Sequence, residues 1–100
     1  MRYIDAITVK RLMEVIEITD DGLVKFRVKN GHNSAGSHAR IRKNGSRFYV
    51  LIDGRKVDMI RAAWAYHHGE WPDFTVVQDV YRDFDFRAEN IQTWAEKRAK

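Results

Sequence analysis

Two dipeptides constrain this chain more than any other feature: Asn44-Gly45 and Asp53-Gly54. Asn-Gly and Asp-Gly are the strongest short-range hairpin signals, because a type I′ turn needs positive φ at both central positions and these residues tolerate it. Short strand-like segments flank both turns, at 39–43, 46–52 and 55–58, so the pattern predicts a β-meander. Phe48 and Tyr49 are neighbours on its central strand and must point to opposite faces.

Helices are expected on either side. Thr8 is placed to cap a short helix on which Leu12, Met13 and Ile16 recur at helical spacing. Asp21-Gly22 then marks a turn, after which Leu23, Val24, Phe26 and Val28 interleave with Lys25, Arg27 and Lys29 as in a strand with cations on one face. Residues 30–37 hold two glycines and small polar residues and read as a flexible loop. Asp58 is a cap for a helix over 59–68, with Ile60, Ala63, Trp64 and His67 on its apolar face and Gly69 beyond its end. A strand over 76–81, a turn over 82–85 and a final helix over 87–98, buried along Ala88, Ile91, Trp94 and Ala95, complete the reading. The expected fold is α+β, one domain over 1–100: an N-terminal helix and basic meander over 1–58, then a second part over 59–100.

Composition narrows the function classes. Without cysteine, disulfides and thiolate zinc sites are excluded. No stretch approaches the ~20 apolar residues of a membrane span, and the N-terminus has no apolar leader core, so no membrane association and a cytoplasmic location are expected. The net charge of +4 is modest, but it is polarised. Lys25, Arg27, Lys29, Arg40, Arg42, Lys43 and Arg47 follow one another with no Asp or Glu between them, and Arg55 comes soon after. Asp73, Asp79, Asp83, Asp85 and Glu89 make the later stretch acidic. The basic half suits a phosphate backbone, or is simply a solvated surface. Trp64, Trp71 and Trp94 read as packing residues; Tyr3, Phe48 and Tyr49 are read first as packing residues too, with stacking on an unpaired base as the alternative. Adjacent His67 and His68 point in different directions on a helix and make no metal pair; their place near its C-terminus suits the helix dipole.

Two segments carry a family resemblance. Gly54-Arg55-Lys56 leads through Arg61-Ala62-Ala63-Trp64 to Gly69-Glu70-Trp71-Pro72, and Val76-Val77-Gln78-Asp79 leads to Arg87-Ala88-Glu89-Asn90-Ile91. This combination resembles the phage and intron-encoded HNH endonucleases, and the lead-in from Leu12 through Gly22-Leu23 to Gly36 resembles theirs as well. The resemblance implies a ββα-metal unit from about residue 74 to 100, in which an Asp-His pair and a later Asn or His hold one divalent cation and activate water. Here Gln78-Asp79 replaces the Asp-His pair, Phe86 stands at the later Asn position, and Ile60 replaces a His before Arg61. The turn is also one residue shorter than usual. An apolar Phe cannot ligate a hard cation, and no imidazole stands where a base is needed. Asn90 survives, as a residue that ties or caps the turn.

The expected protein is therefore a DNA-binding pseudo-nuclease of phage type acting inside a bacterial host, with no cofactor or resident metal. Its DNA contacts would come from Lys25, Arg27, Lys29, Arg40, Arg42, Lys43, Arg47 and Arg55. An inhibitor that grips a host protein through Asp79, Asp83, Asp85 and Glu89 is the alternative. A live metal nuclease using Asp79, Asp83 and Asp85 is a third reading.

Overall fold

The computed structural model describes residues 5, 7–45, 47–78 and 85–93. Helix α1 (Val9–Val15) starts where expected: Thr8 is extended and its hydroxyl accepts a hydrogen bond from the Arg11 amide at 3.1 Å. Ile16, expected on that helix, instead opens strand β1 (Ile16–Ile18). The β-branched Ile16 and Ile18 alternate with exposed Glu17, a pattern that favours a pleated, half-buried strand. Strand β1 pairs antiparallel with β2 (Val24–Phe26), Ile16 opposite Phe26 and Ile18 opposite Val24.

The expected strand with cations along one face is thus short, since the chain bends after Phe26. Arg27 turns back, donating from Nε to the Ile16 carbonyl at 2.7 Å and from a terminal nitrogen to the Tyr66 hydroxyl at 3.3 Å. The loop over 30–37, expected to be flexible, is pinned. The Phe26 amide bonds to the Ser37 carbonyl, the Gly36 amide to the Phe26 carbonyl, and the Ala39 amide to the Val24 carbonyl. Buried Asn30 donates to the Leu51 carbonyl at 2.8 Å and accepts from the Asp53 amide at 3.2 Å.

The meander forms, and its second turn falls where expected, but the first is displaced by one residue: Asn44, expected in the turn, ends the first strand opposite Arg47 and leaves Gly45 (φ 66°) to begin the reversal. β3 (Arg42–Asn44), β4 (Arg47–Ile52) and β5 (Arg55–Asp58) lie side by side in that order, all antiparallel. Asp53 at φ 54° and Gly54 at φ 76° supply the positive values a type I′ turn requires. The first strand begins later than the sequence suggests, because Ala39 is held beside Val24.

Helix α2 (Met59–His68) is capped by the Asp58 carboxylate on the Arg61 amide at 3.0 Å and closed by Gly69 in the left-handed conformation. It packs against α1, β4, β5 and the C-terminal strands. Its buried residues are Met59, Arg61, Ala62, Ala63 and Ala65, whereas Ile60, Trp64 and His67, expected to face the core, are half-buried on its flanks. A helix wedged between two sheets buries its small residues most deeply, because alanines let the backbones approach. Buried Arg61 is neutralised by a two-point pair with Asp5, at 3.0 and 2.9 Å, and donates to the Pro72 carbonyl at 2.8 Å.

The expected final helix over 87–98 is corrected in its first part. Ala88–Asn90 form one 3₁₀ turn, and Ile91–Thr93 form a strand, β7, paired antiparallel with β6 (Val76–Gln78). Ile91 faces Gln78 and Thr93 faces Val76 across the pair, so cross-strand packing of β-branched residues wins over helical spacing. The remainder of the expected strand, turn and helix, at 79–84 and 94–100, lies outside the described residues. Among those described, no helix is long and apolar enough to cross a membrane. The Cα radius of gyration, 12.9 Å, matches the ~13 Å of a compact chain of this length.

Candidate nucleic-acid interface

Strand β4 divides its side chains cleanly. Phe48, Val50 and Ile52 are buried, whereas Arg47, Tyr49 and Leu51 point the other way. Register completes the outer face: Arg42 pairs with Tyr49, Asn44 with Arg47, Leu51 with Lys56 and Tyr49 with Asp58. Directly opposed residues share a face. One surface therefore carries Arg42, Arg47 and Lys56 around a central half-buried Tyr49 and an exposed Leu51. The Lys56 ammonium lies 5.1 Å from the centre of the Tyr49 ring, within cation–π range. The carboxylate on this face, Asp58, is turned to the N-terminus of α2 as its cap.

The far end of the sheet is fixed by an ion pair. The Arg11 guanidinium holds both carboxylate oxygens of Asp53 at 2.8 and 2.9 Å, tying α1 to the β4–β5 turn. That hydrogen bonding holds the Asp53 carboxyl below its usual range and raises Arg11.

Of the expected phosphate-binding cations, the structure unites Arg42 and Arg47 on this face. Lys43 and Arg55 stand opposite Phe48 and Ile52, on the inner side of the sheet, with the Lys43 ammonium 5.8 Å from the Phe48 ring. Lys25 sits opposite Glu17 in the other sheet, and Arg27 is engaged as described. Lys29 and Arg40 are exposed in irregular segments. Lys56 was missed by the reading of the basic run, although the signal was available: counting from the Asp53-Gly54 turn places it opposite Leu51 and hence outward.

The positions that the family resemblance ties to metal chemistry have a different fate. Phe86 is fully buried, its ring edge-on to Phe48 at 5.9 Å. Gln78 and Asn90 are buried, and both donate to the Asp85 carbonyl, at 3.4 and 3.1 Å. His67 contacts the Phe86 carbonyl at 2.9 Å, and His68 stacks on Trp64 at 3.7 Å. Ile60 packs at the edge of the core. Asp79 lies outside the described residues. Among the described residues, no three His, Asp or Glu side chains gather as a metal site would require.

No family model, curated protein or solved structure matches the chain. The surface and the buried knot therefore stand on their own chemistry.

Within the acidic strip, Asp85 is turned inward. Its carboxylate accepts from the Arg87 amide at 3.2 Å and from the guanidinium at 3.0 and 2.8 Å, which raises Arg87 above its ordinary value. Glu89 is mostly exposed and lies 3.1 Å from the same guanidinium. Asp79 and Asp83 belong to the undescribed positions. Gly22 lies directly against this segment. Its φ is 86°, its carbonyl accepts from the Phe86 amide at 3.0 Å, and a Cβ there would stand 2.5 Å from an Asp85 carboxylate oxygen. The glycine expected merely to turn the chain is thus required by a distant segment pressed against it.

Proposed function

We propose that this chain is a phage-type DNA-binding protein on an HNH-nuclease-like scaffold without nuclease chemistry, acting in the bacterial cytoplasm where its DNA target lies. The observation that carries this reading is the outer face of β3–β4–β5, where Arg42, Arg47 and Lys56 point the same way and the neighbouring carboxylate is occupied in capping a helix. Arginine and lysine gathered on one sheet face suit contacts to a phosphate backbone. The loss of catalysis draws support from the C-terminal unit. There Phe86 packs in the core, and Gln78 and Asn90 donate to the Asp85 carbonyl instead of facing outward as ligands would. A reading in which the acidic strip grips a host protein has less to work with, since Asp85 is already held by Arg87.

The test is fluorescence anisotropy of a labelled duplex at several salt concentrations. Binding should weaken with salt with a log–log slope of about −3 to −5, the signature of a handful of phosphate contacts. The triple variant R42E/R47E/K56E should lose about a hundredfold in affinity at low salt; unchanged binding would remove the DNA assignment. Plasmid nicking with Mg²⁺ or Mn²⁺ that disappears in Asp79→Ala would overturn the loss of catalysis.

A further inference from the structure

We infer that the outer face of β3–β4–β5 takes an unpaired DNA strand, with a base stacked at Tyr49. This rests on the DNA-binding reading and gives it a substrate class. Three observations carry it. First, the surface is an open sheet face, built from the outward residues of β4 and their cross-strand partners, and not a protruding helix or loop that could enter a duplex groove. Secondly, its centre is apolar and aromatic. Tyr49 is half-buried on the middle strand, and its neighbour on the same face, Leu51, is 41 % exposed. In a duplex the base faces are hidden by stacking and only phosphates and groove edges are offered, so a half-buried ring beside an exposed aliphatic chain finds little counterpart there. An unpaired strand offers both a phosphate backbone and free π-faces, and stacking tolerates any base. Thirdly, the cations flank this centre on both sides: Arg42 across from Tyr49 on β3, and Lys56 across from Leu51 on β5, its ammonium 5.1 Å from the Tyr49 ring. That arrangement lets phosphates lie over the edge strands while a base lies over the middle one.

The residues needed are outward-facing, so they can be changed without opening the core. The β4 positions that hold the fold are Phe48, Val50 and Ile52, all on the other side.

The experiment compares a labelled oligothymidylate with a duplex of the same length, and both with an oligouridylate, by anisotropy at one low salt concentration. The intact protein should bind the oligothymidylate at least tenfold more tightly than the duplex. Tyr49→Ala should weaken oligothymidylate binding about tenfold, one stacked base being of that order, and change duplex binding less than twofold. Tyr49→Phe keeps the ring and should bind as the intact protein does, which separates stacking from a folding defect. Leu51→Ala provides a second, non-disruptive probe and should weaken the oligothymidylate two- to threefold. Equal affinity for the two DNA forms, with Tyr49→Ala silent, would overturn this inference and leave the DNA reading standing. Tighter binding of the oligouridylate would also overturn it, and no binding of any probe would overturn both.

Discussion

The β3–β4–β5 sheet and the β6–β7 pair are both antiparallel and both carry conspicuous polar residues, yet they dispose of them in opposite directions. On the first, Arg42, Arg47 and Lys56 lie on the outer face over a core of Phe48, Val50 and Ile52. At the end of the second, Gln78, Asn90 and Asp85 are buried, both amides donating to the Asp85 carbonyl, with Phe86 beside them in the core. The difference teaches where function can reside. A polar group engaged by its own chain stabilises the fold and is withdrawn from ligands, whereas an outward cation costs the fold little and remains available.

The comparison breaks most readily at Phe86. Phe86→Ala should lose about 3–5 kcal/mol of stability, the usual cost of emptying a fully buried aromatic site, read by chemical denaturation. A loss below about 1 kcal/mol would mean that the turn is not part of the core. Next comes the triple reversal on the outer face, whose hundredfold loss of DNA affinity should come with little change in denaturation midpoint. A large midpoint change would show that these cations belong to the fold after all. Asn90→Ala should then cost about 1–3 kcal/mol, because it removes a buried donor from the Asp85 carbonyl; nucleic-acid binding should be unaffected.

The smallest effect concerns the Arg11–Asp53 pair, which anchors the sheet but is well exposed. Because Asp53 has a folded-state pKa below its ordinary 3.8, its contribution is present above that value and fades as pH falls through the lower, folded-state one. The stability difference between the intact protein and Arg11→Ala should therefore be small at neutral pH and shrink in acid. A difference that grows on acidification would contradict the pairing.

How much was legible beforehand depended on the range of the interactions involved. Thr8, Asp58, Gly69 and the Asp53-Gly54 turn act within a few residues of themselves, and the helix starts and the β4–β5 hairpin follow from them. The outward cations of the meander were half legible. Arg42 and Arg47 stood out in the basic run, but Lys56 emerges only when cross-strand register is counted. The strand at Ile91–Thr93 was misread as helix because a short apolar pattern fits both periods, and only pairing with Val76–Gln78 decides between them.

By itself, then, the sequence determined an α+β chain with an antiparallel meander, its Asp53-Gly54 turn and two capped helices, because turn and cap chemistry is local and period-two alternation assigns strand faces. The tertiary structure alone decided which polar residues are withdrawn. Arg27 against Ile16, Asn30 against Leu51, Arg61 against Asp5, and Gly22 beneath Asp85 are all meetings of residues far apart in the chain. Such contacts depend on how layers stack, which no local propensity encodes, and they separate the cations that hold this fold together from those that face outward.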